Sequence, residues 1–214
     1  MPLERIIEKN TQGKVAIWHL TESLDELLEM IDLSNTDQQV FDTFKLDKRK
    51  KEWICSRIIL QQFINDYPQI NYTDNGKPFL VNQSKHISIS HATNFVAVSI
   101  SDHPTALDIE ICSPRVEKAA SRFVHDEEWQ FITDKEKVNF LTLIWSAKET
   151  LYKYFDEWGV VFKEHFRINA FNICERGEFN SHCSYKQHDQ DLILDYEITP
   201  DYALVYHLNN KNDL

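Results

Sequence analysis

In the run ALDIEIC, residues 106–112, Asp108 and Glu110 alternate with Leu107, Ile109 and Ile111. A period of two is that of a half-buried strand, whose side chains point to opposite faces in turn. The apolar set then faces a core. The two carboxylates share the outer face, roughly 6–7 Å apart at a rise of about 3.3 Å per residue. Like charges held that close repel, unless the face is well solvated or a cation lies between them. A second charged stretch, WSAKETLYK (145–153), reads as helix and puts Glu149 and Lys153 on one face at i, i+4, with Lys148 directly before Glu149. Asp108, Glu110 and Glu149 together are hard oxygen donors of the kind Mg²⁺ takes, and Lys148 and Lys153 would balance phosphate charge that the metal leaves unmet. The competing reading is a solvated strand face and a surface ion pair worth a few tenths of a kcal/mol. If one cation is shared, deleting Asp108 relieves repulsion, and the metal-free protein unfolds at the same or a slightly higher temperature.

The first half supplies an anion-binding set. KLDKRKKEWICSR (45–57) holds six basic residues against two acids. NGKP presents Lys77 on a glycine-containing turn, and SISHA presents Ser90 and His91 at a strand end, both able to donate to phosphate. A solvated basic helix face and an ordinary loop histidine are the alternatives. After the acidic strand, Arg115, Lys118 and Arg122 fall at i, i+3 and i+7, one face of a helix over 113–123 capped by Ser113 with Pro114 at its first position.

The elements that must position these groups follow from capping and periodicity. KVAIWHL (14–20) reads as a strand. SLDELLEMI follows with Ser23 and Glu26 as a capping box. Residues 47–67 read as a long helix that Asp47 can cap, with Trp53, Leu60, Phe63 and Ile64 toward a core. HISIS (86–90) and FVAVSIS (95–101) read as strands. HDEEWQFI reads as a short helix, and 134–155 as the longest one, with Val138, Leu141, Trp145, Tyr152 and Phe155 on one stripe. FRINAFNI, LILDYEI and YALVYHL close the chain as strands. Each half thus offers one long helix and several strands, an α+β arrangement of two similar lobes divided near SDHP (101–104), as 1–103 and 104–214.

Composition narrows the class. The chain has 214 residues, 42% hydrophobic and 12% aromatic, as a globular protein of this length requires. A formal net charge of −11 disfavours a nucleic-acid binder, which needs clustered Lys and Arg. No apolar run is long enough to span a membrane, and the N-terminus lacks a signal-peptide hydrophobic region. The four cysteines, Cys55, Cys112, Cys174 and Cys183, form no CxxC pair, and read as reduced thiols of a cytoplasmic protein.

NGKP, ISISHA, ALDIE, RFVHDEEW and WSAKETLYK occur in an order and spacing that resembles the surfactin-type 4′-phosphopantetheinyl transferases, over about residues 45 to 155. The resemblance implies transfer of 4′-phosphopantetheine from coenzyme A to a serine of an apo acyl or peptidyl carrier protein, leaving adenosine 3′,5′-bisphosphate. It implies a pseudo-twofold pair of α+β lobes, each a long helix packed on a small, mostly antiparallel sheet, with coenzyme A at their junction. Carried over residue by residue, Asp108, Glu110 and Glu149 look like ligands of Mg²⁺, or alternatively Mn²⁺. Lys148 and Lys153 look like pyrophosphate contacts. Lys77, Ser90 and His91 match positions that bind the nucleotide and its 3′-phosphate, and Lys48, Arg49 and Arg57 resemble the basic positions around the first long helix. Asp108, Glu149 and Lys153 would carry the catalysis, with Glu149 or a metal-bound water as the base. Glu128 matches an acid of the family's pattern. Ala106 departs from the glycine usual two residues before the aspartate. An acidic carrier would dock on Arg115, Lys118 and Arg122. The expected protein is a cytoplasmic monomer with no nucleic-acid or membrane partner. A Mg²⁺-dependent phosphohydrolase and a non-catalytic coenzyme A-binding module are the alternatives.

Overall fold

In the computed structural model, which describes residues 3–9 and 13–208, the chain opens with β1 (Leu3–Lys9) and β2 (Gly13–His19). Three helices follow: α1 (Leu24–Leu28), α2 (Asn35–Thr43) and α3 (Asp47–Ile64). The capping box at Ser23 forms as its sequence requires. Ser23 Oγ accepts from the Glu26 N–H, and Glu26 Oε2 accepts from the Ser23 N–H at 2.7 Å. α3 starts differently. Leu46 occupies the cap position without a side-chain bond, and Asp47 lies inside the first turn, where its charge faces the positive end of the helix dipole. The helix stops at Ile64, short of the expected 67, because Asn65 turns left-handed at φ 53°.

Strands β3 (Ile70–Tyr72) and β4 (Pro78–Leu80) form a small hairpin, and β5 (His86–Ala92), β6 (Phe95–Ser101) and β7 (Thr105–Glu110) come next. The expected helix over 113–123 divides in two: a 3₁₀ segment, Pro114–Lys118, and one α-turn, α4 (Ala120–Phe123). Ser113 does accept from the Arg115 N–H, and Pro114 is at the first position. The Ala119 N–H then bonds Val116 O, three residues back, so the first segment is wound too tightly to continue as α. Instead of a short helix, HDEEWQFI holds only a 3₁₀ turn, Glu128–Gln130. The long helix α5 runs Lys137–Phe155 and ends on Asp156 at φ 54°. α6 (Phe162–His165), β8 (Phe166–Ile168), β9 (Arg176–Tyr185), β10 (His188–Ile198) and β11 (Ala203–Leu208) complete the chain.

Strand order is β1-β2-β6-β5 in one antiparallel sheet and β7-β11-β10-β9-β8 in the other. The strand period of two decides what lies between them. Ala16 and Trp18 of β2 join α3 in one apolar cluster, while Val15 and Ile17 face the other way, onto Leu107, Ile109 and Leu204. Ala203 and Val205 of β11 pack with α5. The layers therefore run α3, four-stranded sheet, five-stranded sheet, α5. This order fixes the acids. With Leu107 and Ile109 committed to the layer between the sheets, Asp108 and Glu110 must face α5. The strand is thus buried on both faces, and Asp108 is only 4% exposed, in place of the solvated outer face its alternation suggested.

Candidate active site

The acidic face of β7 meets the Glu149 and Lys153 face of α5. Lys153 Nζ donates to Asp108 Oδ1 at 2.8 Å, to Ser90 Oγ at 2.9 Å and to Leu107 O at 3.1 Å. Ser90, on β5, donates its own hydroxyl proton to Asp108 Oδ1 at 2.8 Å. The strand's backbone is tied to the helix as well, because Ser146 Oγ donates to Asp108 O at 3.1 Å. Glu110 Oε1 accepts from Trp145 Nε1 at 3.0 Å. The other carboxylate oxygen of Asp108, Oδ2, is buried and has no hydrogen-bond partner among the described residues.

Glu149 closes the group through its charge. Burial first, then the nearby negative charges of Asp108 and Glu110, push its carboxyl up to about 7, with Lys153 pulling the other way. Glu110 is raised too, chiefly by burial and then by Asp108, with the indole bond opposing. Three acids thus feel one another across a small volume. Even so, among the described residues no three His, Cys, Asp or Glu side chains form a preformed metal cage. Lys153 occupies Asp108 instead. The orphaned Oδ2 and the all-oxygen donor set fit a hard divalent cation, and such an ion would relieve the repulsion that raises Glu149.

Two depressions flank the carboxylates. A cavity of about 220 Å³ is lined by Lys77, Ser88, Glu149, Tyr152, Lys153 and Asp156. On the other side, a groove of about 440 Å³ is lined by Glu110, Arg115, Val116, Phe123 and Trp145. Larger hollows, of about 520 Å³ by Cys112 and Arg176 and about 720 Å³ by Met30 and Tyr67, contain none of the three acids.

The first half brings part of its basic set here. Gly76, at φ 86°, makes the turn that presents Lys77, whose Nζ donates to Tyr154 O at 2.8 Å, in the last turn of α5. Burial holds the Lys77 ammonium below the usual lysine range, Asp156 opposing. Asn75 Nδ2 donates to Asp156 O at 2.5 Å, so this turn also caps α5. Arg49 Nη1 lies 2.8 Å from His91 Nε2, and Lys48 is close enough to act on His91 electrostatically. Burial lowers the His91 imidazole, Arg49, Lys153 and Lys48 lower it further, and Glu52 alone raises it.

Two expected ligands are elsewhere. Lys148 is fully buried and bonds Glu128 Oε2 at 2.8 Å and Phe123 O at 2.7 Å. The structure does not bring it to the carboxylates: one residue from Glu149 is about 100° around a helix, a different face. Glu128 also accepts from the N–H groups of His125 and Ile168, so this acid anchors α5 to the strand and turn behind it. Burial pulls the Lys148 ammonium below its ordinary range, with Glu128 opposing. Arg57 is likewise buried. Its Nε donates to Asp37 Oδ2 at 3.1 Å, and its guanidinium stacks 3.2 Å over the Trp53 ring. Arg115, Lys118 and Arg122 are exposed, on two short segments instead of one helix. Ala106 is buried opposite His207 in the β7–β11 ladder, so its methyl lies in the core.

Glu52 and Trp145 contribute to this site unannounced. Trp145 carried a signal in its place next to the acidic helix face. Glu52 carried none, being one acid among six basic residues.

Residues 104–206 match the 4′-phosphopantetheinyl transferase superfamily. The chain is similar to the 4′-phosphopantetheinyl transferase gsp of Aneurinibacillus migulanus, 26% identical over 175 residues that span 77% of this chain and 70% of the relative. It is also similar to the 4′-phosphopantetheinyl transferase AcpT of Escherichia coli K12, 25% identical over 112 residues, 49% of this chain and 57% of the relative. AcpT of Salmonella typhimurium LT2 gives 24% over 112 residues, 58% of the relative. The segment 104–206 that resembles this superfamily contains Asp108, Glu110, Glu149 and Lys153.

Proposed function

We propose that the protein transfers 4′-phosphopantetheine from coenzyme A to a serine of an apo acyl or peptidyl carrier protein, as a surfactin-type, holo-carrier-protein synthase of that superfamily. One observation carries the reading: three mutually repelling carboxylates gather around Lys153, between two depressions, with Asp108 Oδ2 buried and without a hydrogen-bond partner among the described residues. Asp108, Glu110 and Glu149 would hold Mg²⁺, or Mn²⁺ in its place. When bound, the ion supplies charge neutralisation for a pyrophosphate.

The chain's own groups do the rest. On the Lys77 side, Lys77, Ser90, His91, Lys48 and Arg49 hold the nucleotide and its phosphates. On the Arg115 side, Arg115, Lys118 and Arg122 meet an acidic carrier. The carrier serine Oγ attacks the β-phosphorus of coenzyme A. The new Oγ–P bond forms as the bond from that phosphorus to the bridging oxygen breaks. Glu149 takes the serine proton. Lys153 is placed to neutralise the leaving adenosine 3′,5′-bisphosphate. Lys148 and Arg57 take no part in this reading; they fix α5 and α3.

The same reading takes the two halves, 1–103 and 104–214, as pseudo-twofold lobes. Each has a long helix, α3 or α5, closed by a left-handed residue, Asn65 or Asp156, and packed on an antiparallel sheet. One chain provides the whole residue set, in keeping with a monomer. Among the described residues no helix is long and apolar enough to cross a membrane. The four thiols are free, which suits the cytoplasm.

The test is mass spectrometry of an apo carrier incubated with enzyme, coenzyme A and Mg²⁺. The carrier should gain one phosphopantetheine, and Asp108→Ala should abolish the gain. Release of 3′,5′-bisphosphate from coenzyme A with no carrier present would identify a hydrolase instead.

A further inference from the structure

Glu52 lies in the second turn of α3, inside the most basic stretch of the chain, yet its side chain is only 6% exposed. Three groups gather on it: His91 Nδ1 at 3.4 Å, Arg49 Nη1 at 3.6 Å and Lys48 Nζ at 3.8 Å. Arg49 Nη1 is also 2.8 Å from His91 Nε2. A guanidinium has donors and no acceptor, so Nε2 must be the nitrogen with the lone pair. The proton of the neutral ring is then on Nδ1, the atom that faces Glu52. A buried carboxylate opposes an incoming anion, so its presence at this edge is explained by what it holds in place.

We propose that Glu52 is a positioning residue, whose buried carboxylate fixes the His91 ring through Nδ1–H and gathers Lys48 and Arg49 into one unit that receives a phosphate of coenzyme A. The inference rests on the coenzyme A reading above. An arriving phosphate draws Arg49 off Nε2. His91 then takes a proton at Nε2 and donates it to the anion, with Nδ1–H still held by Glu52. The charged groups facing the ring are Glu52, Arg49, Lys48 and Lys153. Only Glu52 favours the protonated ring, so anion binding is coupled to proton uptake through it.

The experiment compares wild type, Glu52→Gln and Glu52→Leu, each checked for an unchanged circular dichroism spectrum. Calorimetry with adenosine 3′,5′-bisphosphate should show about a tenfold weaker affinity for Glu52→Leu, the lower end of the loss expected when an orienting partner is removed. The affinity gained on acidification should begin at lower pH in that variant. Glu52→Gln still offers Nδ1–H an acceptor and should recover most of the affinity. Long-range proton–nitrogen spectra of the ligand-free wild type should show His91 protonated at Nδ1, and Glu52→Leu should show mixed tautomers. Tighter binding by Glu52→Leu with an unchanged pH profile would overturn the proposal, as would an Nε2-protonated His91 in the wild type. A wild type that does not bind the bisphosphate at all would sink the coenzyme A reading, and Glu52's part in it. A wild type that binds, with both variants its equal, would sink Glu52 alone.

Discussion

Glu149 is about half protonated near neutral pH in the ligand-free protein, since burial and two neighbouring acids push its carboxyl up to about 7. A raised carboxyl favours the fold while protonated. That contribution is complete below its ordinary 4.5 and is lost as pH rises through about 7. We expect the melting temperature of the ligand-free protein to fall over that window, and the fall to be shallower in Glu149→Gln. Equal slopes for the two proteins would show that Glu149 is not strained by its neighbours. Asp108 behaves otherwise. The sequence suggested that its removal relieves repulsion, but its Oδ1 is matched to Lys153 and Ser90 in a buried setting. Asp108→Ala should therefore lower stability, by about 1.5 kcal/mol, the low end for a charged hydrogen bond because Lys153 is a quarter exposed. Urea denaturation without metal measures it, and a gain in stability would restore the first expectation. The acids themselves were legible, because alternation in β7 and i, i+4 spacing in α5 are local periods. Their state was not, since Lys153 and Ser90 reach Asp108 from elements 45 and 18 residues away.

Along α5 two faces have separate duties, and adjacent residues belong to different ones. Lys148 and Glu128 form a pair buried at 0% and 1% exposure that ties the helix to the chain before it. Removing one partner leaves the other charge buried and alone, so Lys148→Ala or Glu128→Ala should cost about 3–5 kcal/mol. Replacing both by apolar residues of similar volume should recover much of that loss. If Lys148→Ala keeps wild-type stability and loses coenzyme A affinity, Lys148 is a ligand after all. The segment after β7 shows the opposite limit of sequence reading. An α-helical spacing put Arg115, Lys118 and Arg122 on one stripe, but Pro114–Lys118 is wound as 3₁₀ and the α-turn starts only at Ala120. In the 3₁₀ segment, Arg115 and Lys118 are stacked by the three-residue repeat, and Arg122 belongs to the next turn. Arg115 also lines the groove beside Glu110. Arg115→Glu should thus raise the KM for carrier more than Arg122→Glu does, with coenzyme A affinity nearly unchanged. The salt dependence of kcat/KM should flatten in both variants, since exposed charges are screened beyond about 10 Å at 0.1 M. Salt slopes that match the wild type would place the carrier elsewhere.

At the level of the whole molecule, the four layers share the apolar seam between the sheets, built from Val15, Ile17 and Ala97 on one side and Leu107, Ile109 and Leu204 on the other. Ion pairs Arg5–Glu197 and Lys9–Asp195 bind the edges of the same seam. Residues 1–103 made alone would present half of it to water. We expect that fragment to bind a hydrophobic dye and lack cooperative melting, and the full chain to unfold in one transition. A fragment that melts cooperatively would show that the halves are independent. Composition and two long helices made the α+β class legible. The seam was not, because the strands that build it pair across long stretches of chain, β2 with β6 and β7 with β11, while β1, β9 and the β3–β4 hairpin carry weak strand patterns. The place of Lys153 against Asp108, on the α5 side of β7, has a consequence for how the site is loaded. Its ammonium is an internal counter-ion for Asp108, so a divalent cation does not add to the site but exchanges with a charge already there. A pyrophosphate that attracts Lys153 makes that exchange easier, and linkage requires the help to be mutual. Mn²⁺ titrated alone should then bind more weakly than in the presence of coenzyme A, and Lys153→Met should narrow the difference. On the proposed function, coenzyme and cation each draw the other in, and neither occupies the site fully alone.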